Sequence, residues 1–188
     1  MDSLAPDNVL PRLRGRLGRS YRYLESCPST QRELAPDDGE GTVVATGHQT
    51  AGRGRRGRTW TDAPGTSVLF SLLLRPDVPA DRLPELTVLA AEAVAGAIGP
   101  GAAVKEPNDV LLGGRKVAGV LGEASEGRVV LGIGVNANQA PDQLPPETQL
   151  PATSIRIERD EPVDRAEVLA AILDELEWRY DAWLSGGT

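Results

Sequence analysis

Residues 110–136 read VLLGGRKVAGVLGEASEGRVVLGIGVN, and their punctuation decides the fold. Gly113-Gly114 is a two-residue hairpin signal between Val110-Leu111-Leu112 and a return strand, Arg115 to Glu123. Ala124 to Gly127 then turns the chain into a further strand, Arg128 to Asn136. Strands joined by such short turns are antiparallel neighbours, so this stretch is a three-stranded meander. Upstream, Ala102 to Lys105, Thr66 to Leu74, Gly41 to Thr46 and the alternating Tyr21 to Glu25 read as further strands. Four segments read as helices. Leu10, Leu13 and Leu17 mark an amphipathic one within residues 4–18. Thr30 and Glu33 form the Thr-x-x-Glu of a capping box opening a helix from Gln31 to about Pro36. Leu83, Leu86, Ala90, Val94 and Ala97 recur at helical spacing from Asp81 to Ile98. The last helix has Asp164 as N-cap, Glu167 at N3, a Val163/Val168 staple and a stripe of Leu169, Ile172, Leu173, Leu176, Tyr180 and Trp183. Pro141, Pro145, Pro146 and Pro151 mark an irregular connection before it. The order implies an α+β fold: one domain over residues 1–188, a mainly antiparallel sheet of about five to seven strands, and helices gathered on one face.

Composition narrows the function classes. The 188 residues are 40% apolar and 25% charged, an ordinary globular balance, and the formal charge is −7. An acidic protein with a pI near 4.8 is a poor bulk nucleic-acid binder. Cys27 is the only cysteine and His48 the only histidine, which excludes a disulfide framework and any Cys- or His-rich metal cage. His48 reads as a loop-edge side chain rather than a base. Neither a signal-peptide core nor a run long enough to span a bilayer is present, and a reducing cytoplasm fits.

Against that acidic background stands Gln49 to Trp60, QTAGRGRRGRTW. From Gly52 to Arg58 every residue is glycine or arginine, so the segment offers no apolar side chain to a core and reads as a loop. Its guanidinium groups, Arg53, Arg55, Arg56 and Arg58, repel one another until something anionic collects them, which points to phosphate. Gly52-x-Gly54-x-x-Gly57 matches the dinucleotide-binding fingerprint by letter only, because no helix follows it. The loop is therefore expected to be an arginine clamp, disordered until ligand arrives. Lys105-Glu106-Pro107-Asn108-Asp109 and Arg115-Lys116 place polar groups at neighbouring strand ends. Gly132 and Gly134 lie in mid-strand, where glycine weakens a sheet unless something must approach the backbone. One cleft is implied.

These blocks, in this order, resemble the biotin protein ligases, whose catalytic fold is shared with lipoate ligases and class II synthetases. The resemblance runs from Ser29-Thr30 through the arginine loop, Lys105-x-Pro107-Asn108-Asp109 and Arg115-Lys116-Val117-Ala118-Gly119 to Gly132–Asn136. It implies activation of biotin by ATP to biotinyl-5′-AMP, then transfer to a lysine of a biotin carrier domain such as that of acetyl-CoA carboxylase. Lys116, Arg55, Arg58 and Asp109 are the implied catalytic residues. Ser29, Thr30, Gln49, Gly52, Arg53, Trp60, Lys116 and Gly119 are implied to bind biotin. Arg55, Arg58, Asn108, Asn136 and Lys116 are implied to bind the nucleotide, with Mg²⁺ arriving with ATP rather than in a protein cage.

Two departures stand out. The family pattern has tryptophan where this chain has Glu106, which removes aromatic area and adds a negative charge. The sequence also ends at Ser185-Gly186-Gly187-Thr188, where relatives continue into a small β domain, and no winged helix precedes Tyr21; neither DNA binding nor a membrane partner is expected. Lipoate or another short acyl acid remains open as substrate. The rival reading is a non-enzymatic module whose Arg-Gly loop grips RNA or another polyanion.

Overall fold

The structure, a computed structural model, describes residues 3–145 and 150–186. Among these, seven strands form one sheet: β1 (Tyr21–Leu24), β2 (Val43–Thr46), β3 (Ser67–Leu74), β4 (Ala102–Lys105), β5 (Asp109–Leu112), β6 (Arg115–Ser125) and β7 (Arg128–Asn136). Their spatial order is β1-β2-β3-β7-β6-β5-β4. Only β1 and β2 run parallel; every other neighbouring pair is antiparallel. The helices are α1 (Pro6–Val9), α2 (Glu85–Ile98), α3 (Ile155–Arg159) and α4 (Arg165–Leu184).

The meander forms because its turns demand it. Gly113 and Gly114 both adopt positive φ, 59° and 77°, as do Glu126 and Gly127, 52° and 73°. Two consecutive left-handed residues make the tight turn whose twist matches that of the strands. Side chains then alternate between two faces. Val68, Phe70, Leu72 and Leu74 of β3 and Val129, Leu131, Ile133 and Val135 of β7 point to one core. There they meet Leu86, Ala90 and Val94 of α2 and Leu169, Ile172, Leu173 and Leu176 of α4. Burying each large aliphatic side chain contributes about 1.5–3 kcal/mol. The alanines of α2 allow close approach: a methyl at Gly96 would stand 2.9 Å from the Glu175 carboxylate of α4. Crossing beneath the sheet, α2 carries the chain from β3 to the far edge at β4. Among the described residues the opposite face carries a smaller apolar cluster, Leu34, Val44, Leu73 and Val130, and is the freer face.

Several local expectations need correction. The helix expected within residues 4–18 stops early, as α1 and a 3₁₀ turn over Leu10–Arg12. Gly18 at φ 81° cannot continue a helix. Leu13 and Leu17 are nevertheless buried, on an irregular, turning segment against α4, where Arg14, Arg16 and Leu17 donate backbone N–H groups to Asp174 and Glu177. The Thr30/Glu33 capping box does not form: the segment is a single 3₁₀ turn, Thr30–Glu33, whose N-cap Ser29 makes no side-chain cap. The third helix begins at Glu85, with residues 80–82 in a separate 3₁₀ turn, because Pro84 interrupts the ladder. α3, absent from the sequence reading, starts where the Ser154 hydroxyl accepts from the Ile157 N–H. The cap of α4 is as expected, with Asp164 accepting from the N–H groups of Ala166 and Glu167. Pro146 lies outside the described residues. Among the described residues no helix is long and apolar enough to cross a membrane.

Candidate active site

The free face of the sheet is floored by small residues: Ser71 of β3, Gly132 and Gly134 of β7, and Gly119 of β6. Each is small because something lies directly on it. The Thr30 and Ser71 hydroxyls share a hydrogen bond of 2.7 Å. A methyl at Gly132 would stand 2.8 Å from the Gln31 carboxamide carbon, and one at Gly134 would stand 2.7 Å from Trp60 Cε2. One at Gly119 would meet Trp60 at 3.3 Å and Lys116 at 3.5 Å. The close approach inferred from mid-strand glycines is thus made by the protein's own side chains, which bracket a cleft of about 360 Å³, within the usual range for small-molecule sites.

One end of the cleft is neutral and hydrogen-bonding. Ser29 and Thr30 are 2% and 3% exposed. The Gln49 side-chain oxygen, Oε1, accepts from the Thr30 N–H at 2.9 Å, which fixes the orientation of the carboxamide. Gly52 is required here, since a Cβ would lie 2.5 Å from the Trp60 carbonyl oxygen. The other end is ionic. Lys116 Nζ stands 2.6 Å from Asp109 Oδ1 and 6.0 Å from the centre of the Trp60 ring. Asn108 donates to the Val120 carbonyl and accepts from Arg55 Nη1 at 3.1 Å, so it holds that guanidinium at the cleft. Arg58 lines the same cleft and donates Nε–H to the Arg55 carbonyl.

Lys116 reaches this face through a β-bulge. On β6, Gly119, Leu121 and Glu123 face the cleft, while Ala118 and Val120 face the core. Strict alternation would send Lys116 into the core with Ala118. The register between β5 and β6 shifts at Val110/Leu111, pairing Leu111 with Lys116 and Val110 with Ala118. Val117 is the extra residue; it joins Ala118 in the core, and Lys116 is turned onto the cleft face. Residues 151–153 replace the lost pairing, the Pro151 carbonyl accepting from Lys116 N–H and the Thr153 N–H donating to the Lys116 carbonyl. Asn136, 5% exposed, lines the cleft beside this seam, donating to the Thr153 carbonyl and accepting from Gln139 Nε2.

The arginine loop forms a hairpin with backbone hydrogen bonds of its own. Trp60 N–H donates to the Gly52 carbonyl, Gly54 N–H to the Arg58 carbonyl at 2.7 Å, and Arg56 sits at φ 56° at the tip. At its base His48 Nδ1 meets the fully buried Asp62 carboxylate at 2.9 Å. His48 is thus a loop-edge residue with a partner. Arg53 does not present its guanidinium as a free group, because Glu123 engages it through two contacts of 2.9 and 2.6 Å. Ser29, Thr30, Gln49, Arg55, Arg58, Trp60, Asn108, Lys116, Gly119 and Asn136 line the cleft, whereas Gly52 and Asp109 do not line it themselves but pack on Trp60 and pair with Lys116, respectively. Gln31 was missed: its side chain lies on Gly132 and donates to the Leu121 carbonyl, but the capping-box pattern read it as a helix residue. Burial pushes the Cys27 thiol up from its ordinary value.

A helix-backed, mainly antiparallel sheet whose other face carries a small-molecule-sized cleft under an arginine loop defines the class, an α+β domain with one site built on its open sheet face. The particular family follows from comparison. The biotin/lipoate A/B protein ligase family matches residues 23–139, and the chain belongs to it. Over 177 residues, 89% of this chain, it is 43% identical to the bifunctional ligase/repressor BirA of Bacillus subtilis. It is 38% identical over 160 residues, 81% of this chain, to the biotin–[acetyl-CoA-carboxylase] ligase of Mycobacterium tuberculosis. The chain spans 54% and 59% of the lengths of these two relatives. Among solved structures, a biotin protein ligase from Aquifex aeolicus in complex with biotin and ATP superposes with a TM-score of 0.81 at 31% identity, covering 90% of this chain and 73% of that one.

Proposed function

We propose that this chain activates biotin with ATP, forming biotinyl-5′-AMP, and passes the biotinyl group to a lysine of a biotin carrier domain of a carboxylase. The observation that carries this reading is the division of one cleft into a neutral end, Ser29, Thr30 and Gln49, and a cationic end, Lys116, Arg55 and Arg58. Biotin has the matching polarity: a neutral ureido head needing paired donors and acceptors, and a carboxylate tail. Trp60 and the glycine floor suit the apolar stretch between them.

Chemically, a biotin carboxylate oxygen bonds to the α-phosphorus of ATP while the bond to the bridging oxygen breaks and pyrophosphate leaves. Both reactants are anions, so the step needs fixed positive charge where they meet. Lys116, held by Asp109, faces both; Arg55, held by Asn108, and Arg58 cover the phosphate from the loop. Asp109 acts as a positioning residue and Asn136 contacts the nucleotide. Among the described residues no group of three or more His, Cys, Asp or Glu is placed to hold a metal ion; Mg²⁺ brought with ATP would lie beside Lys116, Arg55 and Arg58 and would supply further charge neutralisation. In the second step the carrier lysine amine attacks the mixed anhydride and AMP leaves. The polyanion-gripping alternative is disfavoured by the net charge of −7 and by the engagement of Arg53 with Glu123.

Mass spectrometry after incubation with biotin, ATP and Mg²⁺ tests the proposal. A biotinyl-5′-AMP product, with biotin binding that tightens when ATP is present, is the expected result. No adenylate and no saturable biotin binding would overturn it.

A further inference from the structure

Behind Asn136, which lines the cleft, lies a layer of buried polar side chains that the chemistry above does not use. Gln139 is 1% exposed, and Ser67 and Thr153 are fully buried. The polarity of this layer runs one way. The Thr153 carbonyl only accepts, so it takes Asn136 Nδ2 at 2.9 Å and turns Oδ1 away from itself. Oδ1 needs a donor, and Gln139 Nε2 meets it at 3.1 Å. The same Nε2 donates to the Ser67 hydroxyl at 2.6 Å, and the Ser67 carbonyl accepts from Arg165 of α4 at 3.1 Å. The Gln139 backbone is held as well, its carbonyl accepting from the Ser154 hydroxyl at 2.8 Å. Both hydrogens of Nε2 are thus spent, while Oε1 is buried with no hydrogen-bond partner. A buried acceptor without a partner costs stability, so core packing does not account for Gln139. A methionine of the same length would fill the space without that cost. It could not hold the Asn136 carboxamide.

We propose that Gln139 is a positioning residue for the nucleotide, locking the Asn136 carboxamide in one orientation. The remaining Nδ2 hydrogen and the second lone pair of Oδ1 are then presented to the ligand in a fixed order. An unlocked carboxamide can turn over and offer its donor and acceptor in either order. The lock lies outside the arginine loop and apart from Ser29, Thr30 and Gln49 at the neutral end of the cleft. That ATP is the ligand at Asn136 rests on the ligase reading; the lock itself does not.

Four full-length proteins test it: wild type, Gln139→Met, Asn136→Ala and the double variant. The side-chain amide signals of Asn136 in a proton–nitrogen correlation NMR spectrum report the lock directly. In Gln139→Met they are expected to shift toward those of an unrestrained carboxamide, with the thermal midpoint within a few degrees of wild type. KM for ATP is expected to rise about three- to ten-fold, the loss of one hydrogen bond, with biotin affinity within about two-fold of wild type. In the Asn136→Ala background Gln139→Met is expected to add nothing further, because its effect passes through the residue already removed. Gln139→Glu keeps the shape and turns the donor into an acceptor; it is expected to move the Asn136 signals at least as far, which tests the lock even where methionine packs badly. Asn136 signals unmoved in both variants, or the same added loss with and without Asn136, overturns the lock. Shifted signals with no ATP binding by wild type uphold the lock and sink the ligase reading. Unmoved signals with normal biotinyl-5′-AMP formation do the reverse.

Discussion

At the scale of single residues the cleft is built by subtraction. Gly134 exists so that Trp60 can lie on the sheet, and Gly134→Ala puts a methyl where Trp60 Cε2 is 2.7 Å away. Overpacking of this kind costs about 1–3 kcal/mol. The expected outcome is a thermal midpoint lowered by a few degrees and biotin affinity weakened about ten-fold; calorimetric affinity equal to wild type would remove Trp60 from the site. Lys116→Met keeps the aliphatic stem and deletes the charge. Adenylate formation is expected to fall about 10²–10³-fold, the usual loss for one preorganised charge-stabilising group, with biotin binding much less affected. A small, equal loss in both would make Lys116 a binding group only. Much of this was legible in the sequence, because arginines, mid-strand glycines and the Lys-x-Pro-Asn-Asp block carry their own signals. Gln31 was hidden behind a capping-box pattern whose threonine bonds Ser71 instead of the backbone. The bulge at Val117 was hidden too: an apolar residue beside an alanine looks the same whether the strand alternates or not.

Among the elements, those whose signals are local were readable, and those whose signals are distant were not. The two-glycine turn and the Asp164 cap act within a few residues and appeared where expected. The parallel pairing of β1 with β2 joins Tyr21 to Val43, across an intervening 3₁₀ turn, and the docking of residues 13–17 on α4 depends on contacts 160 residues apart in the chain. Replacing Asp164 with alanine should destabilise α4 by about 1 kcal/mol, read as a lower urea midpoint with unchanged m-value; an unchanged midpoint would deny the cap any role. The docking of the N-terminal segment predicts an acid response. A side-chain hydrogen bond from Arg16 holds the Asp181 carboxyl below its usual range, and Arg22 does the same for Asp38. A carboxyl lowered by folding contributes stability above its unfolded pKa, near 3.9, and that contribution is lost as pH falls through the folded value. Stability should therefore drop on acidification below about pH 4. Arg16→Gln should flatten the part of that drop owed to Asp181, and parallel wild-type and variant curves would sink the assignment.

For the whole molecule the controlling quantity is charge, because in the proposed reaction a protein of net charge −7 has to draw two anions into one cleft. The arginine loop and Lys116 supply the local positive field, and Glu106, exposed in the β4–β5 connection two residues before Asn108, works against it. The family resemblance places a tryptophan there, so two physical differences are confounded: one added negative charge and one lost aromatic surface. They separate experimentally. Glu106→Gln removes the charge alone, and its benefit should be small and should vanish at high ionic strength, since an exposed charge is screened beyond about 8–10 Å. Glu106→Trp also restores aromatic area, whose packing or stacking against a bound base is worth about 1–3 kcal/mol and does not fade with salt. Pyrophosphate release measured against ATP concentration should show KM for ATP falling slightly in Glu106→Gln at low salt only, and by about ten-fold in Glu106→Trp at every salt concentration. A tryptophan variant no better than glutamine would mean that the nucleotide never reaches this edge of the cleft. The adenine would then have to lie elsewhere, with the Asn136–Thr153 seam as the next surface to probe.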